Sequence, residues 1–401
     1  MKKNTYMLVL FAIFLGTMFL FPTPVHATDV WFWIPPPKDE QNLQRLHFPR
    51  LFTNPEQWNK GLNLLDTFVF SIESRSGVWE DAFLKNKVLP LLNARHINIA
   101  LDSGNATWLT CRKGQGLRNL QTELDSIKRF YEIGGSVSHI WMQSSLSKPV
   151  IQHLRPNCPG YNIDQRIADI LQYMKAIHRE YPNIKIGLID NPTTHITRHN
   201  AGLGDSYQTI YVKLMDTLKA NGETLDFILE DTSSELAEGT ISPGIMEYPQ
   251  ILALENFVRR ELNIKFGLIL TSYDVSTSYE TYAKRVIRQA RTYKQIGGRP
   301  DFYLVSYPGA YSGPAANLLP EDDPVGYPPT KYLLAIERIV KNTALPSDLN
   351  EDGKVDIFDY NIFVTNFGKT GSAGWIKADI DKNGKVDIFD YNLLVASFGV
   401  Y

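Results

Sequence analysis

Two rhythms alternate along most of the chain. Short runs rich in β-branched and aromatic residues lie at 30–34, 67–73, 97–102, 137–143, 184–190, 226–230, 264–271 and 302–307, with the length and composition of buried strands. Between them and after the last, apolar residues recur at helical spacing and predict helices around 55–62, 78–93, 117–133, 164–181, 207–220, 249–262, 276–296 and 330–341. Two of the strand runs echo each other, Asn183-Ile-Lys-Ile-Gly-Leu-Ile and Asn263-Ile-Lys-Phe-Gly-Leu-Ile. Gly134-Gly135 and Gly297-Gly298 each close a helix just ahead of a strand. The first run is the weakest, because Trp31-Phe32-Trp33-Ile34 meets Pro35-Pro36-Pro37.

Strand followed by helix, eight times over, implies a parallel sheet, because parallel neighbours must be joined by crossovers. Eight units is the number that closes a TIM barrel. The expected fold class is therefore α/β, a (β/α)8 barrel over 28–345, with a different, smaller unit over 346–401 after the composition shift at Leu345-Pro346-Ser347. The 401 residues are 43% hydrophobic and 21% charged, ordinary for a folded chain. A net charge of −2 supplies no basic field, so no nucleic acid is expected as partner.

The N-terminus changes the compartment. Lys2 and Lys3 precede an apolar run over 7–21, and Val25-His26-Ala27 places small residues where a signal peptidase cuts. Residues 1–27 are read as a signal peptide, the run being short for a membrane span, with an uncleaved anchor as the alternative. The chain is then secreted or attached to a cell surface and leaves the membrane on cleavage. Its two cysteines, Cys111 and Cys158, follow neighbouring strands three and four, which puts their loops on one face and makes a disulfide the expectation.

In a TIM barrel the site lies at the C-terminal ends of the strands. Those ends carry Glu73, Asp102, Gln143, Asp190-Asn191, Glu230-Asp231, Ser272-Tyr273-Asp274 and Ser306-Tyr307. An unpaired carboxylate in a buried mouth is costly, so several converging there suggest a working cluster. Aromatics gather at the same end: Trp31, Trp33, Trp79, Trp108, Trp141, Tyr273, Tyr307 and Tyr311. Aromatic faces with a few polar groups suit a sugar ring, and Trp33, Trp108, Trp141, Gln143, Asn191, Tyr273 and Tyr307 are the candidate substrate contacts. Paired carboxylates at a sugar site suggest glycoside hydrolysis, one protonating the leaving oxygen and one attacking or activating water. Glu230, at the end of the apolar run Phe227-Ile228-Leu229, is the candidate acid, because burial would raise its pKa. Asp190 is the candidate partner, with Asp102 and Glu73 in support; Asp231 faces away from Glu230 by strand alternation. His195 and His199 read as a loop pair rather than a metal site, and no cofactor is expected in the barrel. The whole pattern resembles the TIM-barrel glycosidases. It departs from their largest superfamily at Gln143 and Thr271, which end strands four and seven where that group carries Glu. A non-catalytic carbohydrate-binding barrel, or a scaffold or adhesion protein, is the alternative.

The C-terminal segment repeats itself. Residues 348–368 recur 31 positions later at 379–399, and 13 of the 21 positions are identical. Each copy places oxygen side chains at loop positions 1, 3, 5, 9 and 12, with Gly353 or Gly384 at position 6, the spacing of an EF-hand calcium loop. The expected ligands are Asp348, Asn350, Asp352, Asp356 and Asp359 in one loop and Asp379, Asp381, Asn383, Asp387 and Asp390 in the other, with Lys354 and Lys385 giving backbone carbonyls, for two Ca2+ ions. Position 12 is Asp rather than Glu, and Pro346 and Gly371–Gly374 stand where an EF-hand has its entering helix. Loop plus exiting helix, duplicated, resembles the type I dockerin. That resemblance implies a cohesin-type partner and attachment to a scaffold or cell surface. Its recognition positions 10 and 11 are Ile357-Phe358 and Ile388-Phe389, in place of the small hydroxylated pair usual there. The apolar residues Ile357, Phe358, Tyr360, Ile362, Phe363, Val364 and Phe367, with their counterparts, are expected to form the core of the unit.

Overall fold

The computed structural model describes residues 28–33, 49–71, 80–103, 120–143, 146, 163–190, 206–241, 243, 247–273, 279–306, 320–321, 329–341, 346–350 and 355–399. Eight strands are present where the hydrophobic runs predict them: β1 (Asp29–Trp33), β2 (Thr67–Ser71), β3 (Asn98–Ser103), β4 (His139–Gln143), β5 (Lys185–Asp190), β6 (Phe227–Glu230), β7 (Lys265–Leu270) and β8 (Phe302–Ser306). Every neighbouring pair is parallel, and β8 returns to β1, so the sheet is a closed barrel in sequence order. Besides short turns of helix at Arg50–Thr53 and Asp81–Phe83, the helices among the described residues are α1 (Asn59–Leu62), α2 (Leu89–Ala94), α3 (Leu120–Glu132), α4 (Ile163–Glu180), α5 (Tyr207–Ala220), α6 (Ser234–Ala237), α7 (Tyr248–Arg260), α8 (Tyr279–Gln295), α9 (Pro329–Lys341), α10 (Ile357–Asn366) and α11 (Ile388–Ala396). A π-turn at Leu84–Val88 leads into α2 just before Pro90, whose missing N–H would break a regular ladder there.

Strand residues divide by parity into two apolar layers. One side is the lumen, filled by Trp31, Val69, Ala100, Trp141, Ile189, Phe227, Leu229, Ile269, Phe302 and Leu304. The other side, including Phe32, Phe68, Leu101, Leu188, Ile228 and Leu268, packs against the helices. Burial on both faces is why these strands read as continuous apolar runs. The echo between strands five and seven has a packing cause. A Cβ on Gly187 would lie 2.2 Å from the Phe227 ring, and one on Gly267 would lie 2.3 Å from the Phe302 ring. Each glycine thus leaves room for an aromatic ring from the next strand, and those rings close the lumen around Trp31, which stacks on Phe302 at 4.1 Å.

The N-terminal rim is stitched by a repeated device. Asp66, Asp226 and Asp301, each one residue before an even-numbered strand, accept backbone N–H bonds from Val30, Ile186 and Phe266 at 2.7, 2.8 and 2.9 Å. Ser138 stands in the same place before β4 and donates its hydroxyl to the Ile99 carbonyl at 2.8 Å.

The C-terminal unit is two loop–helix repeats clasped head to tail. Asp356 and Asp387 cap α10 and α11, each in a capping box with Asp359 or Asp390. Gly368, just past α10, donates to Val386 in the second loop at 2.8 Å, and Gly399, just past α11, donates to Val355 in the first loop at 2.8 Å. These two bonds map onto each other under the 31-residue repeat, so the unit has pseudo-twofold symmetry. Its core differs from the expected one. Leu349, Val355, Phe363, Ala378, Ile380, Val386 and Leu394 are buried, whereas Ile357, Phe358, Val364 and Phe367 are exposed. Phe363 is the one fully buried member of the expected set in α10, with Tyr360 and Ile362 packed at its edge. The remaining space is filled by loop residues at positions 2 and 8 of each repeat.

Candidate functional site

Parity decides what lines the barrel mouth. Asp102, two residues past lumen-facing Ala100, turns inward and accepts the indole N–H of Trp141 at 2.6 Å. The two residues are register partners on β3 and β4. Trp141 is itself fully buried, so it holds Asp102 rather than offering an open face. Trp33 lies beside the lumen cluster, its ring 6.3 Å from Trp141 and edge-on to it. The indole nitrogens of Trp31 and Trp33 are buried without a hydrogen-bond partner. Ser306, the register partner of Trp33, has the same inward parity on β8. The mouth therefore brings together a carboxylate and the ring and indole nitrogen of Trp33, the mixture of polar and apolar groups a hydroxylated ring needs.

Glu230 and Asp190 do not join it. They are register partners at the ends of β6 and β5, so they share a face, and that face is the one of Ile228 and Leu188, turned toward the helices. Asp190 is 1% exposed and accepts the hydroxyl of Tyr211, on α5, at 3.2 Å. Glu230 is 0% exposed; Thr232 donates to its Oε1 at 2.6 Å, and its Oε2 has no partner. Burial pushes the Glu230 carboxyl well above its ordinary value, opposed by the Thr232 bond and reinforced by Asp190 and Asp231. The shift expected of a general acid is present, but it arises behind the sheet. Nearby Tyr211 is likewise pushed up, by burial first and then by Asp190 and Glu230.

The tips of β6 and β7 are bound into one block that sequence reading missed. Glu235, on α6, accepts the Ser272 hydroxyl at 2.5 Å and the Tyr273 backbone N–H at 3.1 Å. Burial would raise the Glu235 carboxyl, but these bonds together bring it below its ordinary value. Gln289, buried on α8, donates to the Thr232 and Ile269 carbonyls and accepts from the Thr271 N–H at 3.0 Å. The signal for Glu235 was present as a Ser-Ser-Glu helix start directly after a strand. Tyr273, its backbone N–H held by Glu235, is 62% exposed beyond the end of β7.

Several candidates lie outside the described residues: Glu73, Trp108, Asn191, Tyr307, Asp352, Lys354, Cys111, Cys158, the histidines 195 and 199, and the segment 1–27. Gln143 ends β4, and its side chain is outside the description. No helix among the described residues is long and apolar enough to cross a membrane.

In the second C-terminal loop, Asp379, Asp381 and Asp390 each bring a carboxylate oxygen within 4.8 Å of the others. Asp379 accepts backbone N–H bonds from Gly374 and Gly384 on Oδ2, while its buried Oδ1 has no partner. Asp390 receives the N–H groups of Asp381 and Asp387 at 3.0 and 2.9 Å. In the first loop Asp359 receives those of Leu349, Asn350 and Asp356 in the equivalent way. The acidic side chains are thus held converging by the loop backbone.

Residues 346–398 match the family model of the dockerin type I domain. The dockerin-type module and the α/β barrel are the two recognisable parts of the chain. No curated protein sequence matches the chain. Among solved structures, an intracellular xylanase of Thermoanaerobacterium saccharolyticum is 11% identical, with 77% of this chain and 95% of that one covered and a TM-score of 0.46. A glucosidase of Croceicoccus marinus is 14% identical over 71% of this chain, with a TM-score of 0.43, and the match spans only 63% of the glucosidase. A 3-keto-D-glucoside 4-epimerase of E. coli is 9% identical over 79% of this chain and 100% of that one, with a TM-score of 0.39.

Proposed function

We propose that the chain is a secreted glycoside hydrolase whose dockerin-type module, loaded with calcium, attaches it to a cohesin-type partner. The observation that carries the catalytic part is lumen-facing Asp102, oriented by Trp141 beside the unpartnered indole N–H of Trp33. A carboxylate beside aromatic rings can take part in cleaving a bond between sugars, and the Trp33 indole can donate to a ring hydroxyl. The test is a polysaccharide panel assayed for released reducing ends, with Asp102→Asn beside the wild type. Release is expected on one class of glycan and is expected to fall by about 10²-fold or more in the variant. Binding without release would instead favour a carbohydrate-binding barrel, a reading that gains weight from the outward turn of Glu230 and Asp190.

The loops suit a hard cation. Asp379 Oδ1 is buried and unpartnered among three converging carboxylates, a state that a divalent ion relieves. Asp379, Asp381, Asn383, the Lys385 carbonyl, Asp387 and Asp390 would hold one ion. Asp348, Asn350, Asp352, the Lys354 carbonyl, Asp356 and Asp359 would hold the other. Partner recognition is read at the starts of α10 and α11, where Phe358 is 62% and Phe389 63% exposed. Two solvent-facing phenylalanines at equivalent places favour a partner surface with an apolar pocket.

A further inference from the structure

We propose that Asp231, rather than Glu230, is the second catalytic carboxylate, acting across the lumen from Asp102; this rests on the hydrolase reading above. The residues beyond β6 stay extended for one more step, since Asp231 N–H donates to the Asp190 carbonyl at 3.2 Å and so continues the ladder. Alternation along that extended segment is therefore preserved. Leu229 is in the lumen cluster, Glu230 and Thr232 are buried on the helix side and bonded to each other, and Asp231 is exposed at the mouth. The same reasoning that removes Glu230 from the mouth puts Asp231 into it.

An acidic side chain at a rim is not by itself a site. The independent observation is at the top of the lumen: the indole nitrogen of Trp33, at the end of β1, is buried without a hydrogen-bond partner. An unmatched donor at a rim with carboxylates on both sides calls for an occupant with acceptor oxygens and a face to lay on a ring. A pyranose has both. Asp231 is also firmly placed. Its neighbours on either side, Glu230 and Thr232, anchor each other, and the next turn, α6, is tied to β7 by Ser234 N–H on the Thr271 carbonyl at 2.9 Å.

Asp102 on β3 and Asp231 after β6 stand three strands apart around a ring of eight, on opposite sides of the mouth. The reaction assigned to the pair is an inverting one, with a water molecule between one carboxylate and the anomeric carbon. Asp231, exposed at the mouth, takes a proton from that water as its oxygen bonds to the anomeric carbon. Asp102, buried with its Oδ1 accepting the Trp141 N–H, gives a proton from its other oxygen to the departing glycosidic oxygen as its bond to that carbon breaks. One proton enters and one leaves, with no redox partner, and the configuration at the anomeric carbon inverts.

The experiment uses the full-length chain and whichever glycan of the panel the wild type cleaves. Asp231→Asn is expected to lower kcat by about 10²–10⁴-fold with KM nearly kept, while Glu230→Gln stays within about threefold of wild type. The first sugar released is expected to show inverted configuration by proton NMR. An Asp231→Asn variant within tenfold of wild type, a Glu230→Gln loss as large as that of Asp231→Asn, or a product of retained configuration would each overturn the proposal and leave the hydrolase reading standing. A wild type that binds glycans and cleaves none would overturn the hydrolase reading itself. Should Asp231→Asn fail to fold, Asp231→Glu, which keeps the carboxyl and displaces it by a methylene, gives the same reading through kcat at unchanged melting temperature.

Discussion

The module and the barrel both hold buried carboxylates, and they hold them differently. In the module, Asp359 and Asp390 are satisfied by backbone N–H groups no more than ten residues away in sequence, Leu349 to Asp359 being the longest reach. In the barrel, Asp102 is met by Trp141, Asp190 by Tyr211 and Glu235 by Ser272, partners brought together by the closed sheet and its helices. A carboxylate that works within its own loop can be assigned from spacing. One that works across strands can be assigned only after the phase of its strand is known.

The sharpest way to break this comparison is to remove the metal. With the loop ligands local and converging, calcium binding to the folded module alone adds stability by linkage. Full-length protein in calcium is expected to show a thermal transition for the module that vanishes in excess chelator, with the barrel transition unmoved. A module transition that persists in chelator would show its acidic loops to be self-sufficient turns.

A smaller effect is expected where the barrel depends on distant partners. Gly187→Ala puts a methyl against the Phe227 ring, and the lumen has no slack around Trp31 and Phe302. A loss of about 1–3 kcal/mol in urea unfolding is expected, the range for overpacking a filled core. Wild-type stability in the variant would mean that the Phe227 ring can move aside, and that the lumen is looser than its packing indicates.

The most diagnostic effect, absent at low pH, concerns Glu230. Its folded-state pKa is raised above the ordinary 4.5, so its burial costs nothing below that pH and destabilises progressively as pH rises from there toward the folded value. Glu230→Gln removes that slope. The variant is expected to match the wild type near pH 4 and to gain on it by up to about 1.4 kcal/mol per pH unit above. Parallel pH profiles of the denaturation midpoint for the two proteins would place Glu230 in contact with water, and would return it to the mouth.

The contrast also explains what could be read from the chain alone. The eight strands and their parallel order were legible because both faces of each are apolar and helical stretches separate them. The same property hid the site. In Phe227-Ile228-Leu229-Glu230 the three residues before the acid are all apolar, so nothing in the run says which of them faces the lumen. Asp102 escaped this difficulty only in part, its inward phase becoming visible through the Trp141 bond that joins β3 to β4. In the module the loop geometry was legible and the core was not. Helices α10 and α11 are apolar on more than one side, and the buried places went instead to Leu349, Val355, Ile380 and Val386 in the loops.

The exchanged clasp of the module has a further meaning. Gly368 is fastened into the second repeat and Gly399 into the first. An isolated repeat of this kind would present an open fastener and an open socket, and its natural complement would be another copy of itself. The two-repeat unit is thus a twofold dimer drawn into one polypeptide, with residues 369–378 as the tether between the halves. Tethering converts an encounter between molecules into one within a molecule, at an effective concentration of order millimolar for a short link. The module can then assemble at any dilution.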